Sequence, residues 1–203
     1  ASPELHSATA AKRAAGPGAS STVKRMTEPL PAPGGPAHRV RLAARGLRWT
    51  QAITATPLTL PAHSSLMTGL APPEHGIEDN GTAVLPRGVP TLAGAFSSRG
   101  YTTAGFVASL VLDRRFGLAQ GFQHYDDKVP GEQVREGYPP ERTAREMTDA
   151  ALAWLKTGAT GGKPRFLWVH YYDPHEPYRP AGIDLKASPA LRYAGEVTTM
   201  DRE

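Results

Sequence analysis

Thr59-Leu60-Pro61-Ala62-His63-Ser64-Ser65-Leu66-Met67-Thr68-Gly69-Leu70, running on through His75-Gly76-Ile77 to Asp79-Asn80-Gly81, is the stretch whose reading decides this chain. It gathers a hydroxyl group, a turn-fixing proline, a short helix with a glycine able to stop it in the left-handed conformation, and an amide side chain. A threonine hydroxyl is a weak nucleophile until a base or a metal lowers its pKa. Held at a helix N-terminus, it lies beside amides that favour an anionic ester. The same Thr-x-Pro spacing is also that of an N-cap, and Asp79-Asn80-Gly81 is also a turn sequence, so the residues alone leave both readings open.

Composition limits what such a site can be mounted on. The chain has 203 residues, 39% hydrophobic and 21% charged, which is ordinary for a globular domain with a core, and its 21 Gly and 20 Pro imply many turns. No apolar run approaches the roughly 18 residues needed to cross a bilayer. The longest are Phe106 to Leu112 and Phe166 to Val169, so no membrane span is expected. With no cysteine, disulfides, thiolate metal sites and Cys nucleophiles are all excluded.

Charge is concentrated at the start: Lys12, Arg13, Lys24, Arg25, Arg39, Arg41, Arg45 and Arg48 stand against Glu4 and Glu28. A basic segment can attract nucleic acid or anionic lipid. Residues 1–38 are rich in Ala, Gly, Pro and Ser, however, and contain no aromatic side chain to stack on a base. They read as a flexible tail, with no specific nucleic-acid binding expected. From Arg39 the pattern becomes that of a packed domain, running to Glu203.

Within that domain, Val40 to Leu47 fits a short helix and Trp49 to Ile53 an extended segment. Ala62 to Thr68 reads as a helix stopped by Gly69, Pro90 to Arg99 as a helix closed by Gly100, and Thr102 to Ser109 as a strand. Glu141 to Lys156 is the clearest helix, with Ala144, Met147, Ala151, Trp154 and Leu155 at helical spacing. Arg165 to Tyr171 is the clearest strand, an apolar run suited to a sheet covered on both faces, and a last helix starts near Ser188-Pro189. Alternating strands and helices predict an α/β fold with a mostly parallel sheet, whose chemistry gathers at the carboxyl ends of the strands. The turn carrying Thr59 and the segment His170-Tyr171-Tyr172-Asp173-Pro174-His175 are the two candidates.

Thr59-Leu60-Pro61-Ala62-His63-x-Ser65-Leu66-x-Thr68-Gly69-Leu70-x-Pro72-x-x-His75-Gly76 resembles the nucleophile segment of the sulfatase branch of the alkaline phosphatase superfamily. The resemblance continues through Val89-Pro90-Thr91-Leu92, Arg99-Gly100-Tyr101, Leu112-Asp113-Arg114-Arg115-Phe116-Gly117-Leu118 and Phe166-Leu167-Trp168-Val169-His170. It then takes in Asp173-Pro174-His175-x-Pro177-Tyr178 and Tyr193-Ala194-Gly195-Glu196-Val197, so that it spans about residues 41–203. It implies a partial alkaline-phosphatase-like three-layer sandwich and a hydrolase of sulfate or phosphate esters. Sulfatases of this type carry Cys or Ser at the nucleophile position, oxidised to formylglycine, with Arg four positions on. Thr59 and His63 stand there instead, so no formylglycine is expected, and the Thr-x-Pro-x-His string is similar to nucleotide pyrophosphatase/phosphodiesterases, whose threonine itself attacks phosphorus and binds metal.

What the resemblance implies for the site follows residue by residue. Thr59 is the nucleophile and a metal contact, while Asn80, His175 and His63 bind the substrate. Asp173 with His175 is a second choice of metal ligand, as carboxylate and imidazole suit divalent ions. A complete family member is expected to hold a divalent metal ion (calcium, zinc, magnesium or manganese) on aspartates of a first strand and of a later Asp-His-Gly or Asp-Asn string. No Asp precedes Asp79. The chain thus reads as a catalytic domain over residues 39–203 truncated at both ends, lacking its aspartate half-sites, acting on a small-molecule ester. Unpaired sheet edges then predict self-association. A domain that binds an anion or a partner without turnover is the alternative.

Overall fold

The computed structural model describes residues 51–129, 141–157, 161–180 and 182–203. The expected tail over 1–38 and the helix from Val40 lie outside the described residues. One compact unit runs from Thr54 to Glu203 and carries every element described below.

In order these elements are α1 (Thr59–Thr68), α2 (Pro72–His75), α3 (Leu92–Ser97), β1 (Thr102–Val107), two 3-10 turns (Leu110–Leu112 and Arg114–Phe116), β2 (His124–Asp126), α4 (Ala144–Lys156), β3 (Arg165–His170) and α5 (Pro189–Met200). The strands form a parallel sheet of order β2-β1-β3. Thr102 lies opposite Arg165 and Val107 opposite His170, so β1 and β3 are paired over their full lengths.

Period-two alternation divides the side chains between the faces. Ala104, Phe106, Ala108, Leu167 and Val169 pack with Met147, Ala151 and Trp154 of α4 on one face. On the other, Val107, Tyr125, Phe122 and Trp168 pack with Leu60 and Met67 of α1 and with Ile77, Leu85, Leu112 and Leu118. Phe96 of α3 extends this second layer by stacking on Phe166 at 4.5 Å between ring centroids. Burial on both faces is why β3 reads as a nearly continuous apolar run instead of alternating with polar residues.

Local signals place the ends of the helices. Gly69 stops α1 at φ +73°, as its position predicts. The start differs from the expected Ala62: α1 opens at Thr59 with Leu58 in the capping position, so Thr59 lies inside the helix and caps nothing. Strand β1 ends at Val107 and β3 at His170, shorter than read, because the backbone leaves the ladder to form the 3-10 turns and the segment from Tyr171. Helix α4 begins at Ala144 and not Glu141: Thr143 accepts from the Glu146 amide, and the Glu146 carboxylate accepts from the Thr143 amide at 2.7 Å. Ser188 caps α5 in the same way, accepting from the Leu191 amide.

Gly121 is required by space as well as by conformation. At φ +88° a Cβ there would fall 2.2 Å from the Gly94 amide nitrogen, where the return from β1 to β2 crosses the start of α3. Gly88 has the same φ of +88° with nothing within 4 Å of such a Cβ. Both alanine substitutions incur left-handed strain of about 1 kcal/mol; Gly121→Ala is expected to cost about 2 kcal/mol more than Gly88→Ala, since rigid backbone must move. Urea melts of the two variants measure that difference directly.

Candidate active site

Thr59 is the first residue of α1 and half-buried, and among the described residues its Oγ1 donates no hydrogen bond. What fixes the helix start is a partner far along the chain. Asn80 Oδ1 accepts from the Leu60 amide at 2.9 Å, occupying one of the first-turn donors that helix geometry leaves unpaired. The Asp79-Asn80-Gly81 turn is real, with the Asp79 carboxylate accepting from the Asn80 amide at 2.7 Å and Gly81 at φ +85°. The turn therefore serves to deliver Asn80 to α1.

His63 lies one turn into α1. Its Nδ1 donates to the Thr59 carbonyl at 2.8 Å, which leaves Nε2 as the bare nitrogen. The ring meets His170 edge-on at 4.8 Å and Trp168 at 5.7 Å between centroids, so α1 and β3 touch through these three side chains. Burial holds the His63 pKa below its usual 6.5, against the raising effect of the Thr59 carbonyl. His170, the last residue of β3, is 8% exposed and accepts from the Ala108 amide through Nδ1 at 3.4 Å. Burial first, and His63 second, push its pKa down to about 3. Both rings are neutral at pH 7. His75 is buried beneath the same turn, accepting from the Ile77 amide and donating to Ser65 Oγ at 3.0 Å, which ties the His75-Gly76-Ile77 segment to α1.

His170 leads out of β3 into Tyr171, Tyr172, Asp173 and His175. Here the second candidate segment stands, at the carboxyl end of the strand as expected. The His175 ring is stacked on Tyr172 at 4.1 Å; Nδ1 donates to the Glu176 carbonyl at 2.6 Å and Nε2 accepts from the Tyr172 hydroxyl at 3.0 Å. Asp173 Oδ2 accepts from the Ala144 amide at 2.7 Å, at the N-terminus of α4, where a carboxylate also meets the positive end of the helix dipole. Sequence reasoning missed this use of Asp173; the signal lay in Thr143 and Glu146, which mark a helix N-terminus in need of acceptors. It also missed Glu196, quoted above with no role, which is buried on α5 with its Oε1 accepting from the Arg179 amide.

The arrangement joins Thr59, Asn80 and His63 in one turn, and His170 brings that turn to the strand from which the His175 segment leaves. Among the described residues no three His, Asp or Glu side chains converge to hold a metal ion, and Asp173 Oδ2 is bonded to the Ala144 amide. The donors present among the described residues do not by themselves make up a divalent-metal site, and no chemical step passes through one. Among the described residues no helix is long and apolar enough to cross a membrane.

A family model described as Sulfatase matches residues 32–201. The chain belongs to the sulfatase family. Its parallel sheet covered by helices agrees with the α/β class that the sequence resemblance implies. Among curated relatives it is similar to a delta 4,5-hexuronate-2-O-sulfatase of Bacteroides thetaiotaomicron, 30% identical over 87 residues covering 41% of this chain and 17% of that protein. It is also similar to the steryl-sulfatase of Mus musculus, 34% identical over 77 residues covering 33% of this chain and 12% of that one. The matches thus span under a fifth of either relative. Among solved structures, that of Ps i-CgsB superposes with a TM-score of 0.54 at 18% identity, over 73% of this chain and 43% of the other, a likeness of fold.

Two outcomes follow from the geometry. Asn80→Ala removes the acceptor of the Leu60 amide and is expected to cost about 1 kcal/mol of stability, while Asn80→Asp keeps the acceptor and most of the stability; chemical denaturation of the pair checks this. His170 stays neutral when folded and protonates when unfolded, so its stabilising effect is complete above the unfolded pKa of 6.5 and is lost as pH falls toward about 3. Between those values each unit of pH removes up to about 1.4 kcal/mol through this group. Denaturation midpoints measured from pH 7 to pH 4 are expected to fall less steeply in His170→Asn.

Proposed function

We propose that this chain carries the nucleophile and anion-binding portion of a hydrolase of sulfate esters, with Thr59 as the attacking group. The observation that carries this reading is the α1 N-terminus: Thr59 Oγ1 without a partner among the described residues, beside an Asn80 whose Oδ1 is committed to the Leu60 amide and whose NH₂ group is not. Membership of the sulfatase family supports the ester class, and the two curated relatives, both sulfatases, support sulfate.

In the first step a bond forms between Thr59 Oγ1 and the sulfur, and the bond from sulfur to the alcohol oxygen breaks, that oxygen leaving with the electron pair and taking a proton from water. The threonine proton passes to His63 Nε2, the bare nitrogen of a ring already tied to Thr59. Asn80 Nδ2 donates to one sulfuryl oxygen, and His175, protonated at Nε2, donates to another in place of its bond from the Tyr172 hydroxyl. Water then attacks the sulfur and the bond from sulfur to Oγ1 breaks, Oγ1 recovering the proton held on His63; of the two protons the water loses, one neutralises the hydroxide left by the first step and one passes to solvent with the released sulfate. A phosphate ester offers the same tetrahedral anion and is the comparison substrate for the test.

Thr59→Ala is expected to lower kcat/KM for an aryl sulfate by about a thousandfold or more, with a smaller loss in Thr59→Ser. Equal turnover of aryl sulfate and phosphodiester probes by the parent and Thr59→Ala would overturn the assignment. Because the His63 pKa lies below 6.5, the neutral base is present at pH 7, and the acid limb of the pH–rate profile is expected below pH 6.5. His63→Gln should abolish that limb.

A further inference from the structure

We infer that Glu196 is a positioning residue for His175, acting through the backbone of the segment that carries it. The inference rests on the substrate role proposed above for His175. Glu196 sits on α5 and is 8% exposed; its Oε1 accepts from the Arg179 amide, and its Oε2 is buried without a hydrogen-bond partner. A carboxylate kept out of water is costly unless something requires it. Burial first, and then the nearby Asp173 carboxylate, raise the Glu196 pKa, while the bond from the Arg179 amide pulls it down. The carboxylate thus engages the backbone at Arg179, just beyond the Glu176-Pro177-Tyr178 turn.

Three further contacts show that α5 grips this segment along its length. Arg192, one helical turn before Glu196, donates through Nη1 to the Tyr178 carbonyl at 3.2 Å. Tyr193 meets Tyr178 edge-on at 5.4 Å. At Gly195 a Cβ would fall 2.5 Å from Ile183 Cδ1 and 2.7 Å from Pro180 Cβ, so the helix backbone lies directly against the chain leaving the turn. At the other end Asp173 is fixed to the Ala144 amide of α4. His175 stands between these anchors, and its own ring bonds, to Tyr172 and to the Glu176 carbonyl, are within the same segment.

Packing alone would be served by Arg192, Tyr193 and Gly195. An acceptor on α5 fixes the Arg179 amide from that side, and Glu196 supplies it. Removing it frees that amide while leaving the helix contacts, which moves the His175 ring relative to the Thr59 turn.

The test reads His175 directly, by ring ¹H–¹⁵N NMR of the full chain titrated with sodium sulfate against sodium chloride of matched ionic strength. In the parent, the His175 ring signals are expected to shift with sulfate. In Glu196→Ala the sulfate affinity they report is expected to fall about tenfold, a change of about 1.4 kcal/mol, while the His75 ring signals stay in place. Glu196→Gln retains an amide-accepting oxygen and is expected to recover affinity to within about threefold of the parent. Should the alanine variant lose its cooperative melt, Glu196→Asp, a carboxylate withdrawn by one methylene, carries the same expectation of weakened binding. A responsive parent with unchanged affinity in the folded Ala or Asp variant overturns the inference alone, as does a Gln variant no better than Ala. A parent whose His175 ring ignores sulfate overturns the substrate role of His175 and this inference together.

Discussion

The parallel pairing of β1 with β3 is the constraint on which the rest of the structure depends. Its six matched positions, from Thr102 opposite Arg165 to Val107 opposite His170, join segments about sixty residues apart. A one-residue slip would move Phe166, Trp168 and His170 to the α4 face and expose the aromatic layer that holds α1. Both candidate segments inherit their positions from this register: His63 rests on Trp168 and His170, and the His175 segment leaves β3 directly after His170.

Around that sheet the site is assembled by polar side chains that reach across the chain to unpaired helix amides. Asn80 serves the start of α1, Asp173 the start of α4, and Glu196 serves not a helix but the loop from His175 to Arg179. Each is a buried or half-buried acceptor placed where a backbone donor would otherwise be orphaned. The buried imidazoles work in the same way in reverse, remaining neutral because the apolar layer disfavours their charged forms. His63 and His170 thus combine packing against the sheet with neutral rings.

Much of this was legible in the residues. The Thr59 string and its glycine stop, Ser188-Pro189 and the apolar run of β3 are local signals, and the elements they predicted are present, some with shifted ends. Thr59 looked like a cap because hydroxyl residues usually cap, yet the acceptor for α1 comes from Asn80, twenty residues on, which no window around Thr59 contains. Likewise the bond of Asp173 to the α4 amide joins residues twenty-nine positions apart, which no local window contains.

The sequence by itself determined the family and the α/β class, because these depend on residue type and on short-range order along the chain. Tertiary structure alone decided which donor each acceptor meets, which histidines are kept neutral, and that Glu196 faces the His175 segment. Those outcomes depend on burial and on distances between residues far apart in sequence, and both are set only when the sheet closes its register and the helices cover its two faces.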